Sequence, residues 1–397
     1  MRTLFFVAFL FLGVIGTGAG IVPRNTSAKP EVYGPANAAK LAVGSYHVLM
    51  VADGKLYGWG DNTQGQLATG KESIEYAPIR IGNDANWKAV TAANFHSIGL
   101  KTNGTLWAWG WGNSHEMGLG QATSKTNKPL QIGKDTNWIS VSTAPDNTVA
   151  LKSDGSLWVW GNNVNGQLGV GKTPNSAVYT PTRVGKSNDW ASAIASQHII
   201  LAIRTDGSLW VWGRRGGSSI YGMDIPDNVI PEPRQIGTEK NWSRIFVHNR
   251  HGGAAVIAEK TDGSLWIWGD NRYGKLGTGN TNKIVEPIRL NIPGSIKDCA
   301  IGHNHTIMVK QDGSIWHSGN FLQNVDVRAG QKSNSLVFVP LGFPGRWTGV
   351  YKGMNFTLLT DQAGNIWTLG INDKGQLGTG NKNSSMTPTK ISIGTAL

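Results

Sequence analysis

A lone cysteine, Cys299, is all the thiol chemistry in this 397-residue chain, which excludes a disulfide scaffold. Charge is sparse. Asp, Glu, Lys and Arg make up 16% of the residues, against a usual quarter or so. Low charge with abundant aromatics excludes disorder over most of the chain. No glycine recurs at every third position, which excludes collagen. After the first twenty residues no apolar run is long enough to cross a bilayer as a helix. Acidic residues are the scarcer charge, 25 against 37 basic, so the net charge is +12. That balance favours acidic partners such as a polyanionic surface or nucleic acid. What abounds is glycine, with 53 copies, and tryptophan, with 17.

The start of the chain reads as an address. Arg2 precedes the apolar run Leu4–Ile15, and small residues follow through Gly20. A positive start, a short apolar stretch and small residues are the parts of a secretory signal. The expectation is a signal peptide over 1–20, a flexible leader over 21–39, and an exported protein, extracellular or periplasmic.

From residue 40 onward one hexamer recurs seven times, led by Gly54, Gly104, Gly155, Gly207, Gly263, Gly313 and Gly364. The spacings are 50, 51, 52, 56, 50 and 51 residues. A period near fifty with strand-like units indicates propeller blades. Asp154-Gly155 and its relatives are tight-turn dipeptides. In Leu157-Trp158-Val159-Trp160 both faces are apolar, so the strand is predicted to be buried on both sides. Pro78, Pro129, Pro181, Pro233, Pro287, Pro340 and Pro388 recur downstream, and proline belongs on an edge strand. Val90-Thr91-Ala92 and His96–Leu100 supply two further strands. The fold class predicted is all-β, a seven-bladed propeller of four-stranded blades over residues 40–397. Trp59, Trp109, Trp160, Trp212, Trp268, Trp316 and Trp367 are read as repeat packing between blades. Truncating one is expected to cost roughly 3–5 kcal/mol.

Laid out this way, the units resemble the regulator of chromosome condensation repeat family. The resemblance rests on Gly44, His47, Asp53-Gly54, Trp59-Gly60, Asn62 and Gly65-Gln66-Leu67 in the first unit. His96, Trp109-Gly110, Asn113 and Gly118-Leu119-Gly120 carry it in the second, and Asp154-Gly155, Trp160-Gly161, Asn163 and Gly166-Gln167-Leu168-Gly169 in the third. Trp268-Gly269, Asn271 and Gly277 fit in the fifth, and Gly375-Gln376-Leu377-Gly378 in the seventh. The resemblance implies a seven-bladed propeller. For function it implies several roles: nucleotide exchange on a small GTPase with chromatin binding, adaptor or sensor modules, and secreted inhibitors of extracellular β-lactamases. An export signal sits nearest the last group.

Motifs that could carry chemistry are weak. Gly166–Thr173 satisfies the P-loop pattern, but that mechanism needs a following helix, and Pro174-Asn175-Ser176 shows no helical period. A blade turn is the better reading, with no nucleotide. His47, His96, His198 and His305 share one phase, yet one ligand per blade lies too far apart for tetrahedral ligation. Structural histidines are expected, with no metal. His303 and His305 are taken to share one strand face. Cys299 has no activating partner and reads as inert. No paired carboxylate, serine nucleophile or zinc signature is present, so neither catalysis nor a cofactor is expected.

The informative places are where the repeat fails. The fourth unit diverges over Arg214-Arg215-Gly216-Gly217 through Asn228, the fifth carries extra residues over 248–253, and the sixth diverges from Asn320-Phe321 through Lys332. These units are consecutive, so the departures share one sector. It is basic, through Arg214, Arg215, Arg234, Arg244, Arg250, Arg272 and Arg328. Loops on a rigid scaffold commonly carry binding, and arginine and aromatics anchor interfaces. Arg214, Arg215, Arg250, His251 and Phe321 are therefore the candidate partner-binding residues, with Trp111, the one tryptophan off register. Arg80, Arg183, Arg289 and Lys390 read as a solvated outer face. The function expected is binding of a protein partner by a monomer, as an inhibitor or adaptor. The alternatives are an anionic polymer or cell surface, a lectin, and, remotely, guanine nucleotide exchange.

Overall fold

The structure is a computed structural model that describes residues 40–164, 166–171, 177–214, 222–223, 229–248, 254–321 and 334–393. The expected signal and leader, residues 1–39, lie outside these. Among the described residues, twenty-eight strands form seven four-stranded antiparallel sheets. In every sheet the strands lie in chain order, first beside second beside third beside fourth. The blades span residues 41–81, 87–131, 138–183, 190–236, 242–290, 296–340 and 347–391. No described helix is long and apolar enough to cross a membrane.

Burial follows position in the blade. The second strands, such as Asn147–Lys152, are buried throughout, and the third strands, such as Leu157–Gly161, nearly so. The fourth strands, such as Glu75–Ile81, are half-exposed and carry the recurrent proline, because an edge strand loses least when a donor is missing. After the inter-blade residue of each third strand, such as Trp59, Trp109 or Trp160, comes a glycine, and there the pairing to the fourth strand shifts. Gly110 has φ +98°, and a Cβ there would lie 2.2 Å from the Phe95 carbonyl oxygen. Only glycine fits that bend.

Neighbouring blades are held by a repeated clamp. Asn62 folds the loop after the third strand of blade 1 by donating to Thr69 Oγ1 and to the Lys71 carbonyl, both at 2.8 Å, while its Oδ1 accepts from Leu67 N. The Gln66 carbonyl is thereby aimed at blade 2, where Trp109 Nε1 and Ser97 Oγ both donate to it at 2.9 Å. Blade 2 clamps blade 3 the same way. The Glu116 carbonyl accepts from Trp160 Nε1 and Thr148 Oγ1 at 2.8 Å. The Leu168 carbonyl takes Trp212 Nε1 at 3.0 Å. Blade 7 closes on blade 1 through the Gln376 carbonyl and Trp59 Nε1 at 3.2 Å.

Trp59, Trp109, Trp160, Trp212 and Trp268 are fully buried between blades. Trp316 and Trp367 belong to the other phase of the hexamer and are half-buried. Ser318 and Leu369 occupy the inter-blade position in their units, and Ser318 Oγ keeps the clamp by donating to the Gly274 carbonyl at 2.7 Å. In blade 2 the residue at the place of Asn62 is Gly112. Asn113 falls one position later, because His115 and Gly118 make the turn bonds made by Gly65 and Ala68 in blade 1.

Candidate interaction face

In a meander the first and third strands run one way and the second and fourth the other. The first-to-second and third-to-fourth loops therefore leave on one face, here termed the loop face. The Asp-Gly turns and the links between blades leave on the opposite, turn face.

The turn face is occupied by structural chemistry. Asp154 accepts from Ser156 Oγ at 2.6 Å, and Ser156 Oγ accepts from Trp158 Nε1 at 2.9 Å. Lys152, at the end of the second strand, sits 3.9 Å from the Trp158 ring centroid and 4.7 Å from that of Trp138, with Asp135 at 2.9 Å. Lys101, Arg204 and Lys260 sit between tryptophan pairs in the same way, and Lys310 lies over Trp316. Such a cation over an indole face is stabilising when desolvated. Arg80 and Arg183 donate to loop carbonyls of this face at 3.0 Å, so they brace links as well as facing solvent.

The described strands that lead into all three irregular segments end on the loop face. Arg214 is the last residue of the third strand of blade 4, Val247 ends the first strand of blade 5, and Asn320 ends the third strand of blade 6. Arg214 is exposed there. Phe321 follows Asn320 and is half-buried, with ring centroids 5.0 Å from His305, 5.4 Å from His317 and 6.4 Å from Phe343. Arg215, Arg250, His251 and Arg328 lie outside the described residues. Trp111 ends the third strand of blade 2 on this same face, half-buried and 5.7 Å from the Phe95 ring. The structure thus places Arg214, Phe321 and Trp111 on one face, Trp111 outside the irregular sector. Arg244 is not part of it. It pairs with Glu259 and donates to the Lys297 and Ile296 carbonyls at 2.7 and 3.1 Å, bracing blade 5 on blade 6. Arg234 lies exposed on a fourth strand.

The histidines divide into latches and an exception. His47 Nε2 is 2.9 Å from Ser97 Oγ, and His96 Nε2 is 2.6 Å from Thr143 Oγ1. Asn147, at the same phase, donates to the Ser196 and Gln197 carbonyls at 3.1 Å. Each joins one blade to the next. His305 instead faces Phe321. His303 does not share a strand with it, because the strand begins at His305. His303 is exposed, its ring 6.0 Å from His248 and 6.1 Å from Tyr273. Among the described residues no three His, Cys, Asp or Glu side chains converge as a metal site. Of the P-loop match, Gly166–Gly171 forms turns and the next described element is the strand Val178–Arg183; Lys172 and Thr173 lie outside the described residues. Cys299 is buried, and burial beside Asp298 pushes its thiol well up, which makes it inert.

The sequence reading missed one construction. Where blades 1, 3 and 7 carry glutamine, blade 5 has Lys275, fully buried, donating to Asp270 Oδ2 at 2.8 Å and to the His303 carbonyl at 3.2 Å. Asp270 also takes Arg272 through Nε at 2.9 Å and Nη2 at 3.2 Å. Arg272 remains half-exposed, and Tyr273 beside it is 40% exposed with φ +70°. A tyrosine held in left-handed backbone is strained.

Comparison with known proteins adds a decisive observation. Two family models, both described as the regulator of chromosome condensation (RCC1) repeat, match this chain. One matches residues 53–100, 103–151, 154–203, 262–309 and 363–396, and the other 38–66, 87–116 and 138–167. The chain belongs to the RCC1 repeat family. Among curated RCC1 relatives it is 25% identical to the ultraviolet-B receptor UVR8 of Arabidopsis thaliana over 359 residues, covering 87% of this chain and 80% of that one. It is 28% identical to the probable E3 ubiquitin-protein ligase HERC6 of Homo sapiens over 72% of this chain, and spans only 28% of that protein's length. Among solved structures, Prp20p of Saccharomyces cerevisiae superposes with a TM-score of 0.74 at 18% identity, covering 90% of this chain and 88% of that one. Human WBSCR16 superposes with 0.72 at 17%, covering 85% and 94%. These two likenesses show the fold.

The RCC1 matches leave two gaps, residues 204–261 and 310–362. All three irregular segments fall inside them. Trp268 marks the first gap structurally. It faces the altered loop of blade 4, and its Nε1 has no acceptor among the described residues.

Proposed function

We propose that this RCC1 propeller is an exported, non-enzymatic protein that binds a protein partner through the loop face of blades 4 to 6. The observation that carries the reading is the coincidence of three irregular connections on one face of adjacent blades with the breaks in the RCC1 match. Between them stand Arg272 and Tyr273, held ready by a buried Asp270–Lys275 pair. Arginine and tyrosine are frequent interface hot spots, and preorganisation lowers the cost of binding. RCC1-fold relatives support the role in general terms: the Prp20p structure was described together with its binding to Gsp1p and histones. The export reading is supported by Arg2, the run Leu4–Ile15 and the small residues after it. It is checked by sequencing the N-terminus of protein recovered outside the producing cell.

The binding test is affinity capture from secreted or periplasmic extract, using the mature chain and a variant with Arg214, Arg215, Arg272 and Tyr273 changed to Ala. One protein retained through a high-salt wash, and lost on the variant, supports the reading. Retention equal on both columns moves the interface off this sector. Binding that washes away with salt on both points to an anionic polymer or surface instead, because exposed charge pairs are screened. The net charge of +12 is what supports that second reading.

A further inference from the structure

One joint on the turn face is built unlike the others. In blades 1, 2, 3, 4 and 6 the glycine carbonyl of the tight turn accepts from the backbone N–H of the tryptophan that opens the next blade, Trp87, Trp138, Trp190, Trp242 or Trp347, at 2.9–3.2 Å. Blade 5 is followed by Ile296 in that place, and the Gly263 carbonyl does not receive this bond. The link after blade 5, residues 291–295, is as long as its counterpart 82–86, but Pro293-Gly294 bends it, with Gly294 at φ +75°. A Cβ on Gly54, Gly104, Gly155 or Gly207 would lie 2.0–2.3 Å from a link carbonyl oxygen, whereas one on Gly263 would meet nothing within 4 Å. A cleft of about 500 Å³ opens there, walled by residues 262–265 and 289–295.

The other joints show which four partners this cleft lacks. The first is an indole. Trp87 shares a core cluster with Leu56 and Ile81 of the blade before it, and Trp138 with Leu106 and Ile132. The corresponding Leu265 and Leu290 line the cleft instead. The second is an N–H for the Gly263 carbonyl. The third is a cation beside the turn. Lys240 pairs with Asp206 at 3.0 Å, and Asn188 Nδ2 donates to the Asp154 carbonyl at 3.0 Å. Gly294 stands at their place in the link and has no side chain to offer. Asp262, held by Ser264 N at 2.8 Å, is exposed. The fourth is an acceptor. Arg80 and Arg183, each two residues after its proline, donate to link carbonyls at 3.0 Å. Arg289 has the same place in blade 5, yet it makes no hydrogen bond among the described residues and acts on Asp262 through charge alone.

We propose that this cleft binds an aromatic α-amino acid as its zwitterion, with tryptophan the best fit. The ring lies on Leu265 and Leu290, where the other joints seat an indole. The ammonium donates to the Gly263 carbonyl and to Asp262, and the carboxylate takes Arg289. Arginine meets a carboxylate through parallel charge-assisted hydrogen bonds, and apolar walls with a few convergent polar groups are the usual form of a small-ligand site. An aliphatic amino acid would leave the two leucines uncovered, and indole alone would leave both charges unmet. A tryptophan within a peptide lacks the two charges on one α-carbon. This site lies on the face opposite the protein-partner reading, goes beyond it and does not depend on it.

The test is calorimetric titration of the purified protein with L-tryptophan, indole, L-alanine and L-tryptophanamide. L-Tryptophan should saturate one site at least tenfold more tightly than any of the other three. Arg289→Gln, a change to an exposed side chain, should weaken L-tryptophan to the affinity of L-tryptophanamide and leave the amide unchanged. Ile296→Trp, which returns the indole of the other joints, should abolish binding without lowering the melting temperature. Absence of saturable L-tryptophan binding to the native protein would overturn the proposal. So would indole or L-alanine binding as tightly as L-tryptophan, or undiminished L-tryptophan affinity in either folded variant. Arg289→Gln decides alone if Ile296→Trp does not fold.

Discussion

The inter-blade clamp makes a quantitative demand on the tryptophans. Trp160 and Trp268 are both fully buried and sit at the same repeat position. Trp160 Nε1 donates to the Glu116 carbonyl at 2.8 Å, whereas Trp268 Nε1 has no acceptor among the described residues. Replacing either by Phe removes similar volume and keeps an aromatic ring against Trp138 or Trp242. That common loss largely cancels between the two variants. What differs is one hydrogen bond, worth about 1 kcal/mol net. Trp160→Phe should therefore lose about 1 kcal/mol more than Trp268→Phe. Trp109→Phe, which gives up a 2.9 Å bond to the Gln66 carbonyl, should track Trp160→Phe. The assay is urea unfolding followed by circular dichroism, which does not rely on the tryptophans removed. Trp268→Phe costing as much as the other two would refute the clamp as a source of stability and leave only ring packing. Both Ala variants should cost more, roughly 3–5 kcal/mol, through cavity formation.

Three further predictions concern single side chains. Burial pushes the Glu116 carboxyl from 4.5 up to about 7, while His96, 3.7 Å away, is pushed down to about 3 by burial, so at pH 7 it offers no charge to pair with. The folded protein holds the Glu116 proton more tightly than the unfolded chain, so stability is full below pH 4.5 and falls as pH rises to 7. Glu116→Gln, the residue at Gln66, Gln167 and Gln376, should add up to about 3 kcal/mol above pH 7 and little below pH 4.5, read from melting curves across pH. Lys152→Met removes the cation between Trp138 and Trp158 and should cost about 1–2 kcal/mol. Because Lys152 is buried, that loss should persist in 1 M salt during urea unfolding. Tyr273→Gly relieves a +70° φ and should raise stability by about 1 kcal/mol, while weakening capture of the protein partner. Unchanged capture would remove Tyr273 from the interface.

Much of the ring was legible because its physics is periodic. The Asp-Gly turns, the two-faced apolar third strand and the edge proline each follow from a backbone requirement that recurs near every fifty residues. The clamp was half legible. Asn62 and Gln66 stand in the repeat, but that a carbonyl, and no side chain, reaches the next tryptophan is a three-dimensional fact. The cation cages left a sequence signal that went unread: Lys101, Lys152, Arg204, Lys260 and Lys310 share one phase, two residues before each Asp-Gly turn or its equivalent. The Lys275–Asp270–Arg272 construction was hidden because a single exchange of Gln for Lys in a turn motif gives no hint that the cation is buried. Trp111 stood out as off register, yet Phe95 covers part of it, a contact sixteen residues away that no local pattern encodes.

Each blade is made of four consecutive strands, and none borrows a strand from another. The contact of blade 7 with blade 1 is thus the same kind of joint as those that follow blades 1, 2 and 3, a loop carbonyl meeting a tryptophan N–H of the next blade. The ring has no privileged seam. New chain ends could be cut into any link on the turn face, for example near Asn83-Asp84 or Lys186-Ser187, and the old boundary joined, with the same set of joints restored. The same equivalence means that the circle can open wherever one joint is weakest. Among the described residues two joints go without the third-strand hydrogen bond of the clamp, blade 4 on blade 5 at Trp268 and blade 6 on blade 7 at Leu369, and these are where the ring would part under load.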